Sequence, residues 1–239
     1  MTASTPTPRA WRTVLEKIEG DLLEGRLAPG DRLPGERDLS SALGVGRSSV
    51  REALRVLEVM GLIRTSTGSG PNAGAIIIAT PRGGMSALLR LQVAAQGFPI
   101  DDVVATRLVL EAAVVEALAA DPDRDVQQTR AIITAMEADD LTADEFLALD
   151  AQLHLSLADA SGNVVIAAMM AGLRSAIESY VLTGAERIPD WDATVSRLRD
   201  EHRAILAAVD AGDAARAASL VSAHITGYYA HAGLSRAHS

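Results

Sequence analysis

Two glycines bracket a single valine at Gly44-Val45-Gly46, and this joint between two helical patterns is the tightest constraint in the chain. The helix before it fits Glu36–Leu43 and closes at Gly44, since glycine readily takes the left-handed turn that ends a helix. The helix after it fits Ser48–Met60, with Val50, Leu54, Leu57 and Val59-Met60 as its apolar face and Gly61 as its stop. Upstream, Trp11, Val14, Ile18 and Leu22 recur at helical spacing in a helix ended by Gly25, and Pro29-Gly30 turns the chain. Downstream, Ile63–Ser66 and Ala75–Ala79 read as two strands joined by the glycine-rich tip 68–74. Helix, short turn, helix and hairpin in that order predict a winged helix-turn-helix.

The polar chemistry of this region gathers on its third helix. Arg47, Ser48, Ser49 and Arg51 fall in the first turn, away from Val50 and Leu54. Short hydroxyls and exposed N–H groups at a helix start suit phosphate oxygens, and arginine reads guanine O6 and N7 in the major groove. Arg37, on the preceding helix, could reach the same backbone or groove. The plain alternative is an αα-hairpin with solvated arginines.

Charge divides the chain in the same place. Residues 1–80 carry ten Arg/Lys against nine Asp/Glu, a net of +1, whereas residues 81–239 carry twelve against twenty-two, a net of −10. An acidic bulk repels nucleic acid, so any such contact belongs to the first third. With 48% hydrophobic and 3% aromatic residues the chain suits packed helices over a β-sandwich. The absence of cysteine excludes disulfides, thiolate zinc sites and cysteine nucleophiles. The start MTASTPTPRAW lacks the apolar segment of a signal peptide, and no apolar run approaches the roughly 18 residues of a membrane span, so a cytoplasmic protein without membrane contact is expected.

The stretch Leu33-Pro34-Gly35-Glu36-Arg37-Asp38-Leu39-Ser40, followed by Gly44-Val45-Gly46-Arg47-Ser48-Ser49-Val50-Arg51-Glu52-Ala53-Leu54, resembles the DNA-binding signature of GntR-type bacterial transcription regulators. The likeness runs on through Leu57, Gly61-Leu62-Ile63 and the wing, covering about residues 11–79. It implies that Arg37, Arg47 and Arg51 read DNA, while Ser48, Ser49 and Gly68 touch backbone or the minor groove. Gly46 departs from the pattern, where relatives often carry Thr or Ser, so a phosphate contact there is in doubt.

Beyond a linker at 80–84, seven segments of helical period follow, at roughly 85–96, 100–120, 122–138, 142–160, 163–182, 190–209 and 213–235. Thr142 with Glu145 forms a capping-box pattern, and Asn163, Asp190 and Asp213 are further N-cap candidates. Short connections predict antiparallel neighbours. The expected fold is therefore dominated by α-structure: residues 1–10 a disordered tail, 11–79 a winged helix-turn-helix with a small hairpin, and 85–235 an antiparallel helical bundle.

Within that bundle Asp150 and His154 are four apart on one helix face, and His202 and His224 lie mid-helix. Any one histidine alone reads as a hydrogen-bonded core or surface residue. Three histidines and one carboxylate on three helices make a ligand set suited to Zn²⁺ or another first-row divalent ion. Arg107 precedes Glu111 by one turn, and an i,i+4 ion pair is its plain reading. His231 and His238 fall near the C-terminus and read as solvated.

Arg107-Leu108-Val109-Leu110-Glu111, Asp150 with His154, Glu201-His202 and His224 together resemble the effector (FCD) domain of the FadR branch of the same family. The resemblance implies metal ligation by Asp150, His154, His202 and His224, with Zn²⁺, Ni²⁺ or Mn²⁺ all open. It also implies that Arg107 holds a carboxylate of a small organic-acid effector. The expected protein is a homodimeric regulator, not an enzyme, that binds a short pseudo-palindromic operator in double-stranded DNA. A metalloenzyme fused to a DNA-binding module and a metal-sensing regulator are the alternatives.

Overall fold

Helix α1 (Ala10–Leu23) turns Val14 and Ile18 inward, one helical turn apart, and packs them against α3 (Arg47–Val59). The computed structural model describes residues 10–66 and 74–233, which divide between two compact units, Met1–Met85 and Ser86–Ser239.

In the first unit α2 (Glu36–Leu43) ends at Gly44, whose φ of +64° is the left-handed closure expected of that joint. The buried faces of α2 and α3, Leu39 with Val50, Ala53, Leu54 and Leu57, join Val14 and Ile18 in one core. Strands β1 (Ile63–Ser66) and β2 (Gly74–Ile77) close over it as an antiparallel pair, with Ile63 opposite Ile77 and Thr65 opposite Ala75. A third edge was not expected: Arg32 bridges Ile76, and the Leu33 N–H donates to the Ala75 carbonyl at 2.9 Å. Gly61 is required where α3 hands over to β1, because at φ +72° an added Cβ would lie 2.5 Å from the Thr80 carbonyl oxygen.

Two expectations are corrected here. The second strand stops at Ile77 rather than Ala79, which has a φ of +46° that extended backbone cannot accommodate. The stretch 80–84 is helical from Pro81 onward, where α4 (Pro81–Ala94) begins rather than at residue 85, and the boundary between the two units falls next to it, after Met85. Gly68 and most of the wing tip lie outside the described residues. So do residues 1–9 of the expected tail; its last residue, Ala10, opens α1.

The second unit follows with α5 (Ile100–Ala120), α6 (Gln127–Met136), α7 (Ala143–Ala160), α8 (Val164–Ala185), α9 (Trp191–Asp210) and α10 (Ala214–His231). Counted with α4, these are the seven helices expected. Thr142 and Glu145 form the full capping box, and Asn163, Asp190 and Asp213 each cap the helix they precede. Helix α6 starts at Gln127 because Asp121 and Asp125 accept hydrogen bonds from the N–H groups two residues on and hold the chain in turns.

Consecutive helices α6 and α7, α7 and α8, and α9 and α10 pack together, but the most extensive pairing joins α5 to α10. Helix α5 also touches α7, α8 and α9, which makes it the axis of the bundle. By length and composition alone α8, with a mean hydropathy of 1.4 over an 18-residue window, would be apolar enough to cross a membrane. Arg174 and Glu178 interrupt it, so it is not the unbroken apolar run of about 18 residues whose absence the sequence showed. Its apolarity serves the core: Ala167, Ala168, Met170, Leu173, Ile177 and Val181 are all buried. Gly172 faces α4, where an added Cβ would run into the Leu89 side chain and lie 3.4 Å from the Ser86 Cα.

Candidate metal centre and nucleic-acid interface

The buried ionisable residues of the bundle, among those described, are concentrated in one place. Asp150 and His154 project from α7, His202 from α9 and His224 from α10, and one donor atom from each lies within 4.8 Å of all the others. Nε2 of His224 is 3.2 Å from Nε2 of His154 and 3.3 Å from Nε2 of His202. Asp150 Oδ1 is 3.1 Å from His202 Nε2, 3.6 Å from His154 Nε2 and 3.7 Å from His224 Nε2.

Second-layer carboxylates set the ring orientations. Glu201 Oε2 lies 2.8 Å from Nδ1 of His224, while its other oxygen, Oε1, accepts from Arg197 Nη1 at 2.5 Å. Glu111 Oε2 lies against Nδ1 of His154. A neutral imidazole has one N–H, and with that proton on Nδ1 facing a carboxylate the Nε2 atom is a bare lone pair. Lone pairs 3.2 Å apart in a buried site repel unless a cation lies between them. Four tetrahedral donors about 2.1 Å from an ion require edges of about 3.4 Å between them. The observed separations bracket that value, so this donor set fits a first-row divalent ion.

Charge compensation continues around the cluster. Burial alone would raise the Asp150 carboxyl, but the Arg174 guanidinium, which donates to Oδ2, and the neighbouring histidines hold it well below the usual carboxylate range. Burial would likewise raise Glu111, and Arg107 and His154 outweigh it and hold it down. Burial opposes charge on His154 too, and Glu111 and Asp150 together raise it. On His224 burial prevails and pushes the ring down to about 4.

Arg107, only 3% exposed, donates from Nε and Nη2 to Glu111 Oε1 at 3.0 and 2.6 Å, and from Nη1 to the Tyr229 hydroxyl at 3.0 Å. The intrahelical pair is therefore present, and Arg107 also lines a cavity of about 20 Å³ beside Asp150, His154 and His224. Arg174 and Tyr228 line it as well. No sequence pattern points to Arg174, which stands on α8 with no i,i+4 spacing to connect it to Asp150.

In the first unit, Arg47, Ser48 and Arg51 are exposed at the start of α3 and Ser49 is half-buried, opposite the buried Val50, Ala53, Leu54 and Leu57. Gly46 caps this helix without any side-chain hydrogen bond. Arg37 on α2 is exposed, with Asp38 at 3.6 Å. Arg51 leans on Glu36, Nε to Oε2 at 2.8 Å, a contact across the helix-turn-helix. Arg55, one turn after Arg51 on the same exposed face, and Arg64 on β1 were overlooked; both extend the basic surface. Glu58 ties the end of α3 to the wing by accepting from both the Thr65 N–H (2.9 Å) and its hydroxyl (2.6 Å).

A winged helix-turn-helix with an arginine-bearing α3, joined in one chain to a helical domain, defines a DNA-binding transcriptional regulator. Comparison with known proteins gives the family. Residues 11–71 match the model of bacterial regulatory proteins of the gntR family, and residues 102–227 match the FCD domain. The chain belongs to the GntR family of transcriptional regulators, with a C-terminal FCD domain.

It is similar to the HTH-type transcriptional regulator LutR of Bacillus subtilis 168, at 31% identity over 84% of this chain and 91% of that one. It is also similar to an Escherichia coli K12 protein provisionally assigned as the L-lactate dehydrogenase operon regulatory protein, at 28% over 89% and 82%. Among solved structures, a GntR protein of Streptococcus agalactiae shares the fold with a TM-score of 0.59, at 24% identity over 91% of this chain and 97% of that one. These relatives are regulators and not enzymes.

Proposed function

We propose that this regulator binds a divalent metal ion through Asp150, His154, His202 and His224, and that a small carboxylic acid beside the ion sets its operator affinity. The observation that carries the reading is the convergence of three Nε2 atoms and Asp150 Oδ1 inside the bundle, with Arg107 and Arg174 lining the adjoining cavity. A bound ion supplies Lewis acidity toward a carboxylate oxygen. Arg107 supplies a planar fork for the same group, and Tyr229 and Glu111 hold that fork in place.

Arg37, Arg47 and Arg51 read the DNA, and Ser48, Ser49 and Gly68 contact its backbone or minor groove. A homodimer in the cytoplasm, with one winged helix per half-site of a short pseudo-palindrome, is the matching assembly. The acid changes affinity for the operator only by as much as it binds the two states of the protein differently.

The test is operator binding, on DNA obtained by in vitro selection, as L-lactate and other small acids are titrated against wild type and Arg107→Lys. L-lactate comes first because of the operon named for the E. coli relative. Lysine keeps the charge but loses the bidentate fork, so the midpoint is expected to move about tenfold or more. An unchanged midpoint would reduce Arg107 to the partner of Glu111. If the chelated protein responds normally, the ion does not take part in effector binding. A third outcome, operator affinity that follows buffered Zn²⁺ and ignores every acid, would mark a metal sensor.

A further inference from the structure

The cavity beside the metal cluster is too small for an acid. Its volume of about 20 Å³ admits roughly one water, or one oxygen of a ligand. Three of its lining residues, Leu147, Arg174 and Val181, also line a second cavity of about 350 Å³ between α7 and α8. That size lies in the range of small-molecule sites. Any ligand that puts an oxygen next to the cluster must therefore keep its body in this groove.

The two arginines are differently placed for such a ligand. Arg107 already spends three of its five N–H groups on Glu111 and Tyr229, so it keeps two for the single ligand oxygen that the small cavity admits, and displacing Glu111 to free more would strand a carboxylate that is 2% exposed. The side chain of Arg174 is 12% exposed, stands where cavity and groove meet, and makes one hydrogen bond among the described residues, to Asp150 Oδ2. A guanidinium has five N–H donors in a plane, so Arg174 can keep Asp150 and accept a second carboxylate. The walls beyond it are apolar, with Ala148, Ala151, Leu155 and Leu182. Arg174 is the one basic residue among those lining the groove, and the acids Asp144 and Glu178, both exposed, line it too.

We propose that Arg174 captures the carboxylate of the effector, and that the effector is a monocarboxylic acid whose hydrocarbon body lies in the α7–α8 groove. The claim rests on the reading that an acid binds beside the metal, and it names the class of acid. A dicarboxylate would bring its second charge against Asp144 and Glu178. An aliphatic body gains about threefold to fourfold in affinity for each methylene buried.

Calorimetric titration of the full-length, zinc-loaded protein with butanoate, hexanoate, adipate and L-lactate tests this. Hexanoate is expected to bind about tenfold tighter than butanoate, and adipate at least tenfold weaker than hexanoate. Arg174→Gln should lose at least tenfold in hexanoate affinity, measured on protein whose zinc content has been determined and matched to that of wild type, because Arg174 also holds Asp150. Ala151→Met narrows the groove from α7 while leaving Arg174 and the four cluster residues in the chain. It should abolish the advantage of hexanoate over butanoate even if Arg174→Gln folds poorly or sheds zinc.

Equal hexanoate binding by wild type, Arg174→Gln and Ala151→Met overturns the proposal and leaves an acid beside the metal standing. Binding of L-lactate but none of the other three acids does the same. Failure of all four acids against zinc-loaded wild type overturns both.

Discussion

The two units place their polar chemistry in opposite environments. On α3 the arginines stand in water: Arg51 and its partner Glu36 have side chains 58% and 41% exposed, and such a pair contributes at most a fraction of a kcal/mol. In the bundle Arg107, Glu111, Asp150, His154, His202 and His224 are all buried, and each charge needs a partner within reach. The difference teaches what each site is for. Exposed groups held loosely are free to exchange water for phosphate and base edges at little cost to the fold. Buried groups held in a chain, from Tyr229 through Arg107, Glu111 and His154 to Asp150 and Arg174, bind folding and ligation into one property.

The comparison is broken most severely where a buried charge loses its partner. Glu111→Leu leaves Arg107 uncompensated, and is expected to destabilise the bundle by about 3–5 kcal/mol in chemical denaturation. A loss below about 1 kcal/mol would mean that the chain of charges is not a structural unit.

Next comes the metal. His202→Ala or His224→Ala should lower affinity for Zn²⁺ by on the order of 10–100-fold or more, and chelation of wild type should lower the melting temperature of the bundle. If neither variant binds the ion less tightly, these histidines are core residues and not ligands.

A smaller effect is expected on the exposed side. Arg47→Ala or Arg51→Ala should cost about 1–3 kcal/mol of operator binding, while stability stays within about 0.5 kcal/mol of wild type. Retained specific affinity in both would remove α3 as the reading helix. Smallest of all, Asp190→Ala removes the side chain that accepts from the Ala193 N–H at the start of α9, and should cost about 1 kcal/mol with metal content unaltered.

How far these features could be read in the sequence depended on how local they are. The Gly44-Val45-Gly46 joint, the Thr142–Glu145 box and the caps at Asn163, Asp190 and Asp213 are interactions within a few residues, and each stands as expected. The four residues of the cluster were legible through their types and their resemblance to a family, although spacing alone pairs only Asp150 with His154. Arg174 was invisible, because its meeting with Asp150 depends on how α8 is rotated against α7. Glu111 was read only as a partner of Arg107; its second oxygen reaches His154 across the bundle. Pro81 misled in the other direction, since proline followed by Gly83-Gly84 reads as a break but opens α4.

The claim on which the account turns is that the buried cluster is a metal site. Metal analysis of the full-length protein after equilibration with Zn²⁺ and removal of excess addresses it directly, with Asp150→Asn/His154→Ala as the matched control. The account predicts one divalent ion per chain in wild type and less than about one-tenth of that in the double variant. Wild type that retains no ion, or a double variant that retains a full equivalent, would contradict it.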